Sequence, residues 1–207
     1  MGLTATKILL LLAGVGHLLL WHCDRMLTYL DGGRFDFKML SDNQKLSAVM
    51  GNTPLDKPMR SGIGGVMAMA AMLPGYLALS EWMRPFSGVC AALMTAGEML
   101  FFVPGGAHHV LCGVVEWVYI RMGKTDEARR LIAELFKKSS STMMVCYAGL
   151  LMFSLALFAA VVGGLTTLPR WACVFNPLLY IVLFPLRIVG TGNIVCAVTT
   201  LALGLLL

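Results

Sequence analysis

The stretch that decides the fold is residues 85–122, PFSGVCAALMTAGEMLFFVPGGAHHVLCGVVEWVYIRM. It is apolar enough for a membrane span, yet it contains Glu98, His108, His109 and Glu116. At about 3.6 residues per helical turn, Glu98, His109 and Glu116 fall on one face, and His108 points roughly a quarter turn away. Ionisable groups are costly at membrane depth and usually face a protein interior or a water-filled cavity. This spacing therefore predicts a functional site along one face of the stretch.

The whole chain has the composition of an integral membrane protein. Its 207 residues are 58% hydrophobic and 13% charged, with a mean hydropathy of +0.79, which excludes an ordinary soluble domain. The net charge of +5 comes from basic residues beside apolar runs, a pattern typical of membrane orientation rather than nucleic-acid binding. The six cysteines occur singly, without a CxxC pair, which predicts free thiols. We expect one membrane domain over residues 1–207, with membrane lipids and no nucleic acid as partners.

The apolar runs predict an all-α, polytopic bundle of six transmembrane helices. A long third helix is expected to kink at Pro104, and a short amphipathic cytoplasmic helix, TDEARRLIAELFKK at residues 125–138, is expected to follow it with Thr125 as its N-cap. The glycine-rich second span favours close helix contact and offers an interface for a homodimer. The predicted spans are residues 4–29, 61–82, 86–121, 142–165, 171–188 and 192–207.

Charge decides whether the PGG sequence at residues 104–106 breaks the third span. A continuous helix places nearly all of the 16 Lys and Arg residues on one side of the membrane, the exceptions being Lys7, Arg84 and Arg170. A break would put the two basic clusters on opposite sides, so the positive-inside rule favours one helix. It also predicts that residues 30–60 and 122–141 are cytoplasmic and that both termini lie outside.

The first and fifth spans carry polar residues that match those of the third. His17, Trp21 and Asp24 share one face of the first span, and if both spans run inward, His17 lies near the depth of Glu98. A polar cavity is therefore expected in the cytoplasmic half of the membrane. Its candidate catalytic residues are Glu98, His109, His17, Asp24 and Glu116, and its candidate substrate-binding residues are Asn176, Tyr180, Arg187, His108 and Trp21.

Most of these residues have an alternative structural explanation. His17 could hydrogen-bond a neighbouring helix, and Glu116 could lie in solvent beyond the hydrocarbon. Asp24 could pair with Arg25, and Arg187 could be an interfacial anchor. Glu98 lies far from either predicted interface among apolar residues, which favours a functional role.

Two segments resemble an uncharacterised family of bacterial membrane proteins with about six spans. They are WHCDRMLTYLDGG at residues 21–33 and PRWACVFNPLL at residues 169–179. The family has an acidic residue at the end of its first span, a small-residue-plus-His segment in its third, and a PRW-x-x-x-FNP motif entering its fifth. Asp24, residues 105–109 and residues 169–177 match these features, although Tyr29-Leu30-Asp31 replaces the family's Tyr-Gly-Gly. The resemblance implies a topology, a shared site and a bacterial inner membrane as the location, and it brings no assigned activity.

Three functions fit these residues. The leading hypothesis is an intramembrane isomerase, cyclase or hydrolase acting on a lipid or isoprenoid, with Glu98 as general acid and His17 or His109 as base. A metal variant would use zinc or iron held by His17, Asp24, Glu98 and His109, although no HxxxH or HExxH spacing supports it. The alternatives are a transporter or binding protein for a small polar ligand, using Arg187, Asn176 and Asn193, and a b-type haem protein with His17 and His108 or His109 as axial ligands.

Overall fold

A computed structural model describes residues 2–186 and 188–207 of the chain. The described residues form a helical bundle and one short β-hairpin. Each strand of the hairpin has two residues, and Tyr29 pairs with Arg34. Short 3-10 helices occur at Phe37–Ser41, Arg170–Val174 and Phe184–Leu186. The other elements, in chain order, are α1 (Leu3–Thr28), β1 (Tyr29–Leu30), β2 (Gly33–Arg34), α2 (Asn43–Met50), α3 (Asp56–Met83), α4 (Gly88–Arg121), α5 (Asp126–Val162), α6 (Leu179–Leu183) and α7 (Thr191–Leu206).

Four of these helices, α1, α3, α4 and α5, are long and apolar enough to cross a membrane. The predicted all-helical membrane architecture is thus confirmed in its coarser form, while six transmembrane helices are not confirmed. The 16-residue α7 is shorter than the roughly 20 residues that a crossing helix needs.

The third predicted span is one continuous helix. The Ser87 side chain caps α4 by accepting a hydrogen bond from the Cys90 amide at 3.2 Å, and the helix then runs 34 residues through Pro104 to Arg121. Proline removes one helix hydrogen bond but does not end a helix that is packed along its length. The charge argument against a break at residues 104–106 therefore predicted the right structure.

The amphipathic helix expected at residues 125–138 and the span expected at 142–165 are a single helix, which corrects the prediction of two elements. Thr125 is the N-cap, as predicted, and α5 continues for 37 residues to Val162. The SSST sequence at residues 139–142 does not interrupt it, because its hydroxyl groups bond carbonyls of the preceding turn. Ser139 donates to Leu135 O at 2.8 Å, and Thr142 donates to Ser139 O at 2.6 Å.

The fifth predicted span, residues 171–188, is not one helix. Its described part contains two short 3-10 helices and the five-residue α6, with Pro177 and Pro185 along the way. Proline lacks the amide hydrogen that a helix needs and clashes with the preceding turn. Pro185 therefore prevents α6 from continuing as a long helix. We call the described part of residues 163–190 the interrupted segment.

The interrupted segment runs back along α5 towards the opposite end of the bundle. The Asn176 amide donates to Ser154 O at 3.1 Å, and further along the Tyr180 ring stacks on Tyr147 of α5. The segment ends at Gly190, which packs against Asp24 near the end of α1. The interrupted segment therefore runs antiparallel to α5 without forming a regular helix.

Glycines allow the long helices to pack in close contact. Gly97 of α4 faces Gly149 of α5, Gly75 of α3 faces the Leu9 carbonyl of α1, and Gly14 of α1 faces Leu201 of α7. Small residues let backbones approach, which replaces the hydrophobic driving force that helices lack in lipid. This close packing brings the polar residues of neighbouring helices within reach of one another.

A separate hydrophobic cluster covers the end of the bundle where α1 and α3 meet the hairpin. Its core residues come from residues 30–50, the end of α4 and the start of α5. Tyr119 of α4 donates a 2.7 Å hydrogen bond to Asn43 of α2, whose amide donates to Lys124 O at 3.1 Å. We call this end of the molecule the cap end.

We expect Gly97→Ala to destabilise the bundle. A methyl group there would lie 2.7 Å from Gly149 O and 2.8 Å from Phe153 N, both rigid backbone atoms. Overpacking of this kind costs about 1–3 kcal/mol, which a lower melting temperature in detergent would report.

The matched control is Gly106→Ala in the same helix, where the nearest atom outside the helix is 4.0 Å away. Alanine is favoured over glycine in helices by about 1 kcal/mol, so this variant should melt at or above the wild-type temperature. Equal melting of both variants would contradict the packing argument.

Candidate functional site

A chain of buried and part-buried hydrogen bonds links α3, α1 and α7. The His17 ring lies between two partners, with Nε2 at 2.7 Å from Tyr76 Oη and Nδ1 at 3.0 Å from Asn193 Oδ1. The Asn193 amide then donates to Asp24 Oδ2 at 2.7 Å. His17 is fully buried, and all four residues come from helices that are apolar overall.

The donor and acceptor of each bond follow from Asp24. An ionised carboxylate only accepts, so Asn193 must present its amide nitrogen to Asp24 and its carbonyl oxygen to His17. The His17 proton therefore sits on Nδ1, and Nε2 accepts from the Tyr76 hydroxyl. Every hydrogen bond in the chain is thus directed towards Asp24.

His109 contacts the other oxygen of the same carboxylate. Its Nδ1 lies 3.7 Å from Asp24 Oδ1, within ion-pair distance but too long for a hydrogen bond. Its Nε2 is buried without a partner and packs against Gly65, where a methyl group would lie 2.1 Å from that atom. The ring therefore occupies the space that a side chain at position 65 would need.

Asp24 is more accessible than either histidine of this network. Its side chain is 27% exposed, against 11% for His109 and complete burial for His17. Gly190, with φ of +68°, precedes α7 and packs tightly beside it, since a methyl group there would lie 2.5 Å from the Trp21 ring and 3.1 Å from Asp24 Oδ2. Trp21 is held in place by donating to Val189 O at 3.0 Å.

Further polar contacts close a ring of helices around this point. His108 Nδ1 lies 3.0 Å from Thr142 Oγ1, which joins α4 to α5. Tyr180 stacks on Tyr147 and packs against Gly192, which joins α5, α6 and α7. We call this ring the polar crevice, because its members are half-buried rather than buried: Asp24, His108, His109, Thr142, Tyr180 and Asn193.

Glu98 lies away from this ring, in a separate buried position. It is fully buried, its Oε1 accepts a hydrogen bond from the Ser80 hydroxyl, and its Oε2 has no partner. Among the described residues, no hydrogen bond joins Glu98 to His17 or His109, the histidines that the leading hypothesis combines with it.

The other predicted site residues are placed as follows. Glu116 is 3% exposed with Oε2 unpaired, so it is not the solvated residue of the alternative explanation. Asn176 is buried against α5, outside the crevice. Asp24 bonds Asn193 while Arg25 lies over the Trp21 ring, so the alternative Asp24–Arg25 pair does not form. Arg187 lies outside the described residues.

The metal and haem hypotheses find no support in this arrangement. The described residues contain no group of three or more His, Cys, Asp or Glu that could hold a metal ion. An axial haem ligand needs a free ring nitrogen, and both nitrogens of His17 are engaged by Tyr76 and Asn193.

Three residues that matter here carried no signal of their own in the sequence. Tyr76, Ser80 and Thr142 are single polar residues in apolar or mixed runs, and none has a spacing that ties it to a partner. Their roles come from contacts between helices far apart in the chain, such as Tyr76 with His17.

Comparison with known proteins gives a match to a family model. A model described as a family of unknown function, DUF6796, matches residues 2–206. The expected resemblance to an uncharacterised family is thereby confirmed in its coarser form. No curated protein and no solved structure matches the chain significantly.

We expect Tyr76→Phe to weaken the bundle by about 0.6–1.7 kcal/mol, the range measured for hydrogen bonds between membrane helices. The variant keeps the ring but removes the hydroxyl that His17 Nε2 accepts from. Thermal unfolding in detergent measures the loss. Tyr29→Phe is the control, because Tyr29 is 44% exposed and its ring contact with Arg25 survives. Equal melting temperatures of the two variants would show that the hydrogen bond between Tyr76 and His17 contributes nothing to stability.

Proposed function

We propose a function from the site itself, since the chain belongs to DUF6796, a family of unknown function. The proposed function is acid–base catalysis by an integral membrane enzyme on a lipophilic substrate such as a lipid or isoprenoid. The observation that supports it most is the convergence on Asp24: Asn193 donates to one carboxylate oxygen and His109 faces the other. Asp24 is also the most accessible ionisable group of that network.

Asp24 is the group that would give and take the proton. A general base must reach the reacting atom, and the fully buried Glu98 and the packed His109 Nε2 do not offer that access. His109, Asn193 and His17 act as positioning residues, because they fix the carboxylate and supply or withdraw hydrogen bonds as its charge changes. Trp21 and Tyr180 supply apolar walls for the substrate.

The orientation of the protein is part of the proposal. Most Lys and Arg residues lie at the cap end, among them Lys38, Lys45, Arg121 and Arg130, and the opposite end has Lys7, Arg84 and Arg170. The positive-inside rule supports a cytoplasmic cap end and outward termini. Asp24 lies four residues before the end of α1 and would then open towards the cytoplasmic leaflet.

The proposal predicts solvent-deuterium incorporation that depends on Asp24. Purified protein in vesicles of total bacterial lipid extract, incubated in D₂O, should label a lipid at carbon, because proton transfer to carbon takes its hydrogen from solvent through Asp24. Mass spectrometry of the extracted lipids measures it. Asp24→Asn should lower the rate by about 10²-fold or more, the usual contribution of general acid–base catalysis.

Two further variants make this test specific. Glu81→Gln alters an exposed carboxylate paired with Arg84 at the opposite end and should label lipids at the wild-type rate. Glu98→Gln tests whether Glu98, rather than Asp24, transfers the proton. We expect this variant to retain deuterium labelling. Labelling that survives in Asp24→Asn, or none in the wild type, would overturn the assignment.

A second candidate function, transport of a small polar or anionic ligand, is favoured by the interrupted segment. Secondary transporters bind substrates where spanning helices are broken, and irregular backbone at membrane depth occurs where it lines a cavity. Here the interrupted segment brings Tyr180 and Gly190 to the polar crevice.

Transport would appear as charge movement without chemical change. Proteoliposomes on a solid-supported membrane, challenged with acetate, phosphate and amino acids, should then give currents that Asp24→Asn abolishes and Glu81→Gln keeps. Currents without deuterium labelling would replace the enzyme proposal with transport, and the absence of currents would exclude electrogenic transport of these ligands.

A further inference from the structure

The crevice contains a second arrangement of reactive groups that the proposed acid–base chemistry does not use. We propose that Cys112, His108 and Thr142 form a thiol nucleophile site that accepts an acyl group from a long-chain acyl thioester. The three residues come from two neighbouring helices, α4 and α5. This inference is independent of Asp24 and goes beyond the proposed function, because it adds a covalent modification to the protein.

The hydrogen bonds around His108 orient it as a base for the thiol. Cys112 Sγ lies 3.5 Å from His108 Nε2, and Thr142 Oγ1 lies 3.0 Å from His108 Nδ1. The single Thr142 hydroxyl hydrogen is already donated to Ser139 O at 2.6 Å. Thr142 therefore accepts from Nδ1–H, which leaves the Nε2 lone pair to accept the thiol hydrogen of Cys112.

This is the arrangement by which an imidazole activates a nucleophile. A third group fixes the tautomer of the base, and the base faces the nucleophile. The positions also suit the helix, because residues four apart lie one above the other on the same face. Both Cys112 and His108 are half-buried, so a reagent can reach them from the crevice.

A second observation points to a ligand at the same place. Glu116 lies one helical turn beyond Cys112 on the same face of α4. It is 3% exposed, and its Oε2 is buried without a hydrogen-bond partner. Buried polar atoms are rarely left unpaired, so this atom indicates a polar group that arrives with the ligand. A protonated Glu116 would donate to the carbonyl oxygen of an acyl group on its way to Cys112.

The surroundings favour an acyl thioester over other electrophiles. The thiol lies in an apolar helix, where a long acyl chain can enter from the lipid. Arg121, at the end of the same helix, is exposed at the cap end, where an anionic head group would remain. Exchange between a thiol and a thioester needs a base but no oxidant, metal or energy source.

The reaction balances with the groups present. His108 Nε2 takes the thiol hydrogen as Cys112 Sγ attacks the thioester carbonyl carbon. The new carbon–sulfur bond forms, the bond to the donor sulfur breaks, and the leaving thiolate takes the proton back from His108. The products are acyl-Cys112 and the free donor thiol.

The test uses palmitoyl coenzyme A with the full-length protein in detergent. Intact-protein mass spectrometry should show one added acyl group that hydroxylamine removes, absent in Cys112→Ser. His108→Gln should slow the reaction on the order of 10²-fold, since it removes the base. Thr142→Val should slow it as well, and Thr142→Ser should restore the wild-type rate because serine keeps the hydroxyl.

Controls separate this site from unspecific acylation and from the acid–base proposal. Cys146→Ser changes another half-buried thiol and should leave acylation unchanged. Asp24→Asn should lose deuterium labelling but keep acylation, so each proposal can fail alone. Acylation that is spread over several cysteines, or that proceeds at the wild-type rate in His108→Gln, would overturn the site, and a wild-type protein that takes no acyl group would exclude palmitoyl transfer.

Discussion

The arrangement of the bundle depends on the need to pair polar groups where water is scarce. Asn193 meets this need for two helices at once, because its two ends bond His17 and Asp24 of α1. Its own helix, α7, is too short to cross a membrane unaided. An unpaired carboxylate or imidazole in hydrocarbon costs several kcal/mol, so α7 cannot slide along α1 without leaving these groups exposed to lipid. The hydrogen bonds therefore fix the register that the apolar contacts leave free.

Close glycine contacts and buried polar contacts depend on each other. Gly65 of α3 admits the His109 ring, and the ring in turn faces Asp24 of α1. A larger residue at position 65 would push α4 away and separate the imidazole from the carboxylate. Glycine at this position thus serves the site as well as the packing, which explains why the glycine-rich face of α3 points to α4 rather than to lipid.

The sequence predicted features that lie within a single helix, but it did not predict the contacts between helices. The face shared by His109 and Glu116, the continuity of α4 and the helix cap at Thr125 all follow from spacing and charge. The partners of these residues do not, because Tyr76 and His17 are 59 positions apart and no periodicity relates them. The join between the amphipathic helix and the fourth span was missed for a similar reason: the hydroxyl groups of residues 139–142 favour either a turn or a helix, and the packing of α4 on α5 decides.

The interrupted segment and the polar crevice are physically one feature. A chain that crosses apolar surroundings without a regular helix leaves backbone groups that need other partners. Side chains supply two of them, since Asn176 accepts from the Leu178 amide at 3.0 Å and Trp21 donates to Val189 O. The Trp21 that satisfies the segment also lies beside Asp24, and Gly190, which ends the segment, lets the backbone approach both side chains closely. A regular fifth helix would satisfy its own backbone and free Trp21 from this position. The irregular backbone therefore shapes the surroundings of Asp24. The proposed reaction at this carboxylate depends on the interrupted segment as much as on the helices that position Asp24.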